Sequence, residues 1–264
     1  MNTPSAPRII KNKYYSNWGD IFGYPLAHAL LGIATRIPFL TPNIVTLTAF
    51  TMYTLGSISL FLTYPFHEYI AAFLVIGGFV GDDLDGQLAR AKKMSSKIGD
   101  YMDKVLDIIK IFIISASLGY AVYLQTNNIV SIYLGFTACF FFIWRYYIKL
   151  ETMFARINHD KDYLEKSSDK RRELEAEVEG SIEQYKKEGF SGFVKSVVLQ
   201  NRTIFFVDEA EFAIFTGIGA IFHRMDIALW IIAVAQVIIA FLRVFERGYQ
   251  ISTDSPNLLY PMRK

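Results

Sequence analysis

Apolar residues fall into long runs separated by short polar stretches, and a shorter, punctuated run precedes them. From about Trp18 to Ile37, apolar positions at helical spacing (Ile21, Phe22, Leu26, Leu30, Ile33) are interrupted by Asp20, His28 and Arg36. That pattern predicts an amphipathic helix lying at a membrane surface. Pro38 and Pro42 then turn the chain, and Thr41 can cap a helix that starts at Pro42. Leu47 to Thr63 completes a first span, and further spans are predicted over about 69–90, 98–124, 129–148, 203–222 and 227–242. Each is near the roughly 20 residues that a bilayer requires. The reading is an all-α integral membrane protein. It has six transmembrane helices, an interfacial amphipathic helix before them, and one membrane domain over residues 1–264.

Residues 156–200 break the pattern. Asp169 to Glu188 is rich in helix formers with opposite charges three and four apart, which predicts a soluble helical insertion between the fourth and fifth spans. Gly189, Ser191 and Gly192 end that helix, and it reads as a solvated connector. Basic residues are concentrated in the amino-terminal tail, the turn holding Lys92, Lys93 and Lys97, the 156–200 segment and the carboxyl end. The intervening loops hold only Arg224, so both termini are expected on the cytoplasmic side.

Composition agrees. Of 264 residues, 52% are hydrophobic and 16% aromatic, and the net charge of +2 suggests no nucleic-acid partner. The single cysteine, Cys139, excludes an internal disulfide. No signal-peptide pattern is evident in the first residues.

The chemistry is concentrated between Asp82 and Asp107. Asp82 and Asp85 are three apart and share one helix face, while Asp103 and Asp107 are four apart and share another. Apolar sequence borders both pairs. An acid at mid-membrane costs about 2.5–3.5 kcal/mol on the insertion scale, so four unpartnered ones would cost on the order of 10 kcal/mol. Hard divalent cations are a natural compensation. An intramembrane cation pathway is an alternative on residue chemistry alone. Gly86 and Gly99, which remove bulk beside the acids, and Arg90, whose guanidinium can fork onto phosphate oxygens, favour catalysis on a phosphorylated substrate.

The spacing D-x2-D-G-x2-A-R-x8-G-x3-D-x3-D is met by Asp82, Asp85, Gly86, Ala89, Arg90, Gly99, Asp103 and Asp107. It resembles the signature of the CDP-alcohol phosphotransferases, integral membrane enzymes of phospholipid head-group synthesis. The resemblance implies transfer of a substituted phosphate from a CDP-alcohol, CDP-diacylglycerol being the expected one, to an alcohol acceptor with release of CMP. It also implies two Mg²⁺ or Mn²⁺ ions held by Asp82, Asp85, Asp103 and Asp107. Asp107 would in addition take the proton from the acceptor hydroxyl. Gly86, Ala89, Arg90 and Gly99 would lie at the nucleotide, as would Asn43 and Thr46 of the T-P-N-x-x-T stretch. A homodimer is favoured by the same resemblance.

Asp83 points about 100° from Asp82 on a helix and is left out of the metal shell. Asp100, one turn before Asp103, either supports the metal-holding acids from behind or is a helix-start acid favoured by the dipole. For the acceptor, the candidates are Arg145, Glu209 and Arg243. Asp208, Glu209 and Glu211 either pair with those arginines or line an acceptor pocket that prefers a neutral polyol or an amine. Two other functions compete, an intramembrane cation transporter and a non-catalytic scaffold.

Overall fold

The structure is a computed structural model that describes residues 18–160, 162–163 and 207–252. The expected amino-terminal tail, nearly all of the 156–200 insertion, and residues 203–206 at the start of the fifth expected span lie outside the described residues. Among the described residues there are seven helices and no strand: α1 (Trp18–Ala34), α2 (Pro42–Ser59), α3 (His67–Ala91), α4 (Lys97–Thr126), α5 (Val130–His159), α6 (Glu209–Ile221) and α7 (Met225–Ser252).

Local chemistry sets the helix starts. Thr41 is extended and its hydroxyl accepts from the Ile44 amide, with Pro42 in the first helical turn. Ser96 caps α4 by accepting from the Gly99 amide at 3.1 Å. Asp208 caps α6, and its own backbone N–H donates to Glu211 Oε2 at 2.7 Å.

α4, α5 and the Met225–Tyr249 part of α7 are long and apolar enough to cross a membrane. Their outward faces agree: Phe112 and Leu124 on α4, Phe136 and Phe140 on α5, and Ile231, Ile238 and Phe241 on α7 are all exposed apolar side chains. α5 and α7 extend past the apolar runs from which spans were predicted, because the polar residues that follow are good helix formers. α6 differs in the other direction. The Asp208 cap starts it at Glu209, and its 13 residues reach only roughly 20 Å, short of the roughly 30 Å hydrocarbon layer.

α1 is apolar on two sides. Ala27, Leu31 and Ala34 pack on Val80, Leu84 and Leu88 of α3. The positions that carried the sequence periodicity, Phe22, Leu26, Leu30 and Ile33, face outward. The main core joins α2, α3, α4, α5, α6 and α7 through residues that include Leu60, Val75, Ile114, Leu118, Phe212 and Leu229. Glycine permits two close approaches. A Cβ on Gly78 would lie 2.7 Å from the Tyr53 backbone nitrogen, which brings α3 against α2. A Cβ on Gly135 would lie 2.5 Å from the Ser115 carbonyl oxygen, which brings α5 against α4. Each contact seats one acid-bearing helix against a neighbour, α3 on α2 and α4 on α5.

Candidate active site

α3 delivers Asp82 and Asp85 near its carboxyl end, and α4 delivers Asp103 and Asp107 near its amino end. The turn between them is anchored by Lys92, whose Nζ donates to the carbonyls of Ile37 (2.8 Å) and Leu40 (2.7 Å). That ties the α3 end to the connection between α1 and α2.

Three carboxylates from three helices converge. Oxygen atoms of Asp82 (α3), Asp107 (α4) and Glu209 (α6) all lie within 4.8 Å of one another. Asp107 is buried, and Asp82 and Glu209 are half-buried. A lysine sits among them. Lys110, one turn beyond Asp107, places its ammonium 2.9 Å from Asp82 Oδ1 and 2.8 Å from Asp107 Oδ1, with a side chain only 8% exposed. Lys104 bridges Asp103 (2.7 Å) and Asp107 (3.3 Å) from the more exposed side.

The other two motif acids point to different partners. Asp85 accepts a hydrogen bond from the Thr46 hydroxyl, which joins the T-P-N-x-x-T stretch of α2 to the motif on α3. Asp103 pairs with Lys104. Asn43 lies beside Gly99, with its Oδ1 3.9 Å from where a Cβ on Gly99 would stand. Gly86 is not demanded by helix packing, since a Cβ there would meet only the Arg90 guanidinium, at 3.6 Å and beyond. Arg90 and Asn43 are exposed at the same end of the bundle, and Ala89 is half-buried beside them. Asp83 faces α1, with its Oδ2 2.5 Å from a Cβ built on Gly23, away from the cluster. Asp100 is exposed in the first turn of α4.

The candidate acceptor residues divide. Arg145 on α5 donates to the Val207 carbonyl (2.8 Å), Gln236 Oε1 (2.8 Å) and Asp208 Oδ1 (2.5 Å). It thereby fixes the cap from which Glu209 projects. Glu211 is fully buried and bonded to the cap backbone. Arg243 donates to Glu246 one turn on, at 2.6 Å. Of the three acids near α6, one pairs with an arginine, one serves the cap, and Glu209 joins the motif carboxylates.

Sequence reading singled out Glu209 only for the acceptor and did not single out Lys110 at all. The signal for Lys110 was present: a lysine three residues after Asp107 lies on the same helix face, within an otherwise apolar run. Nothing local could have told that Glu209, far along the chain, meets Asp82.

The donor set suits a hard cation. Counting Asp103, four carboxylates carry a charge of −4 and Lys104 and Lys110 return +2, leaving an excess of −2. All-oxygen donors and two uncompensated charges suit a hard divalent cation.

Residues 39–168 match the CDP-alcohol phosphatidyltransferase family. This chain carries a CDP-alcohol phosphatidyltransferase domain. The matched stretch contains all eight motif positions, Asn43, Thr46 and Lys110, whereas Glu209 comes from outside it. The transferase domain is also similar to a bifunctional IPC transferase and DIPP synthase of Thermococcus kodakarensis, with 30% identity over 107 residues. That similarity covers 39% of this chain and 23% of the relative.

Proposed function

We infer that the chain transfers a substituted phosphate from a CDP-alcohol, CDP-diacylglycerol in the first instance, to an alcohol acceptor and releases CMP. The observation that carries the reading is the meeting of Asp82 and Asp107, the first and last acids of the family motif, in one partly buried carboxylate cluster. A cation transporter would have no use for Gly86, a glycine that packing does not require, beside an exposed Arg90.

Asp82, Asp107 and Glu209, with Asp85 and Asp103 beside them, would hold Mg²⁺ or Mn²⁺, two ions by the family resemblance. Such ions, when bound, neutralise a diphosphate and the charge that develops during in-line displacement. Gly86 leaves room for the diphosphate, Arg90 forks onto its oxygens, and Asn43 and Gly99 border the nucleotide. Thr46 orients Asp85 through its hydroxyl. Asp107 accepts the proton of the acceptor hydroxyl. The new bond forms between that oxygen and the phosphorus nearer the alcohol moiety, the bond from that phosphorus to the oxygen bridging to CMP breaks, and CMP carries the electron pair away.

The membrane arrangement belongs to the same proposal. The site end of α3, α4 and α5 faces the cytoplasm, α2 and α3 cross the bilayer with the three long apolar helices, and α6 completes the bundle from within. α1 lies at the interface, the 156–200 segment is a cytoplasmic insertion, both termini are cytoplasmic, and two copies associate. The test is lipid mass spectrometry on membranes that express the chain, fed CDP-diacylglycerol and a panel of polyols, amino-alcohols and sugar phosphates. A new phospholipid absent from Asp107→Asn membranes is expected. No new lipid with any acceptor, alongside cation flux that depends on Asp82, would replace the reading with transport.

A further inference from the structure

Lys110 is a buried cation at the centre of a carboxylate cluster, and the chemistry above makes no use of it. Its ammonium lies within 3 Å of both Asp82 and Asp107, so it joins α3 to α4 at the point where like charges would otherwise push them apart. Lys110 and Glu209 also line a small cavity of about 10 Å³ with Tyr53, Phe79 and Ile111. That is room for about one water molecule. Tyr53, one of the residues lining this cavity, is 3% exposed, and its buried hydroxyl has no hydrogen-bond partner among the described residues. A buried hydroxyl left unsatisfied costs about 1–3 kcal/mol, which one water molecule in the cavity would relieve.

Resting on the reading of this cluster as a divalent-cation centre, we propose that Lys110 is a positioning residue of that centre. Its ammonium is the resident counter-ion that holds Asp82 and Asp107 together in the absence of metal, and it limits how tightly the Asp82–Asp107–Glu209 group grips a divalent ion. The charge count supports this division of work. With Asp103 and Lys104 counted alongside, the group has an excess of −2 when Lys110 is present, one divalent ion's worth; without Lys110 the excess is −3. The ammonium and a bound ion repel one another. Even at the dielectric constant of water, a unit charge about 6 Å from a divalent ion changes its affinity roughly tenfold, and more in a drier site.

The experiment uses the full chain purified in detergent. Mn²⁺ binding is followed by paramagnetic resonance, and thermal unfolding is followed in EDTA and in saturating Mn²⁺. Lys110→Met is expected to unfold at lower temperature than wild type in EDTA, to gain more from Mn²⁺, and to bind Mn²⁺ at least tenfold more tightly. Lys110→Arg, which keeps the charge, is expected to stay near wild type in both. If Lys110→Met does not fold without metal, adding Asp82→Asn, which restores the charge count, is expected to recover folding in EDTA. A lysine that merely fills space gives a different result: Mn²⁺ affinity unchanged or weakened in Lys110→Met, or no recovery by the charge-restoring pair. Either outcome overturns the proposal. None of these readouts uses turnover, so an inactive enzyme with the expected Mn²⁺ behaviour would sink the transferase reading and leave this one standing.

Discussion

Arg145 offers a perturbation whose size follows from its contacts. Arg145→Met keeps much of the length and packing of a side chain that is only 11% exposed, but removes three donated hydrogen bonds. The Val207 carbonyl retains a bond from Gln236 Nε2 at 2.5 Å, so its loss is partial. Gln236 is fully buried and loses the donor to its Oε1, which costs about 1–3 kcal/mol. The Asp208 side chain is 48% exposed, so water replaces most of that ion pair and the loss there is under about 1 kcal/mol. The sum is about 1–4 kcal/mol. Because Arg145 fixes the α6 cap next to Glu209, a displacement on the order of 1 Å is expected to lower turnover roughly 100-fold. Equilibrium unfolding in mixed detergent micelles, with CMP release measured alongside, reads both effects. Asp208→Asn with Arg145 intact is the comparison and should cost under about 1 kcal/mol. If Arg145→Met costs no more than Asp208→Asn, the guanidinium is not supporting Gln236 and the reasoning fails.

Asp107→Asn should lower turnover about 10²–10⁴-fold while Mn²⁺ binding is weakened but measurable; near-normal turnover would remove Asp107 as the base. Thr46→Val deprives Asp85 of its hydroxyl donor, a charged bond worth about 1.5 kcal/mol, so kcat/KM for the CDP-alcohol should fall roughly tenfold. An unchanged kcat/KM would mean that Asp85 needs no orienting. Gly135→Val forces α5 away from Ser115 and should destabilise the bundle by about 1–3 kcal/mol in the same micellar unfolding assay. A wild-type unfolding curve would show that the α4–α5 approach is looser than described.

How much of this was legible in the sequence depends on how local the cause is. The start of α2 could be read because Thr41–Pro42 acts on amides within the next turn; Ser96, which caps α4 just as locally, was not singled out. The apolar runs located α3, α4, α5 and α7, but not their full lengths, since hydropathy marks where lipid is tolerated rather than where helical hydrogen bonding stops. The carboxyl-terminal part of α5, Lys149 to His159, is polar and still helical. α6 was misjudged in extent because Asp208 acts as a cap, and an acid beside an apolar run reads equally well as part of a span. Within the site, the motif placed Asp82 and Asp107 on two consecutive helices, and the structure brings them together. Glu209 and Lys110 were obscured for different reasons. Glu209 joins through tertiary packing of a distant helix, and Lys110 looks like noise in an apolar run unless its i,i+3 relation to Asp107 is given weight.

The most direct test of metal-assisted transfer from a CDP-alcohol is CMP release by the purified chain in lipid micelles, given CDP-diacylglycerol and a panel of alcohol acceptors. Release should stop in EDTA, because an uncompensated carboxylate cluster repels a diphosphate, and should return with Mg²⁺ or Mn²⁺. It should stay near background in Asp107→Asn with either metal. CMP release that is undiminished after thorough chelation, or that persists at the wild-type rate in Asp107→Asn, would contradict the central claim.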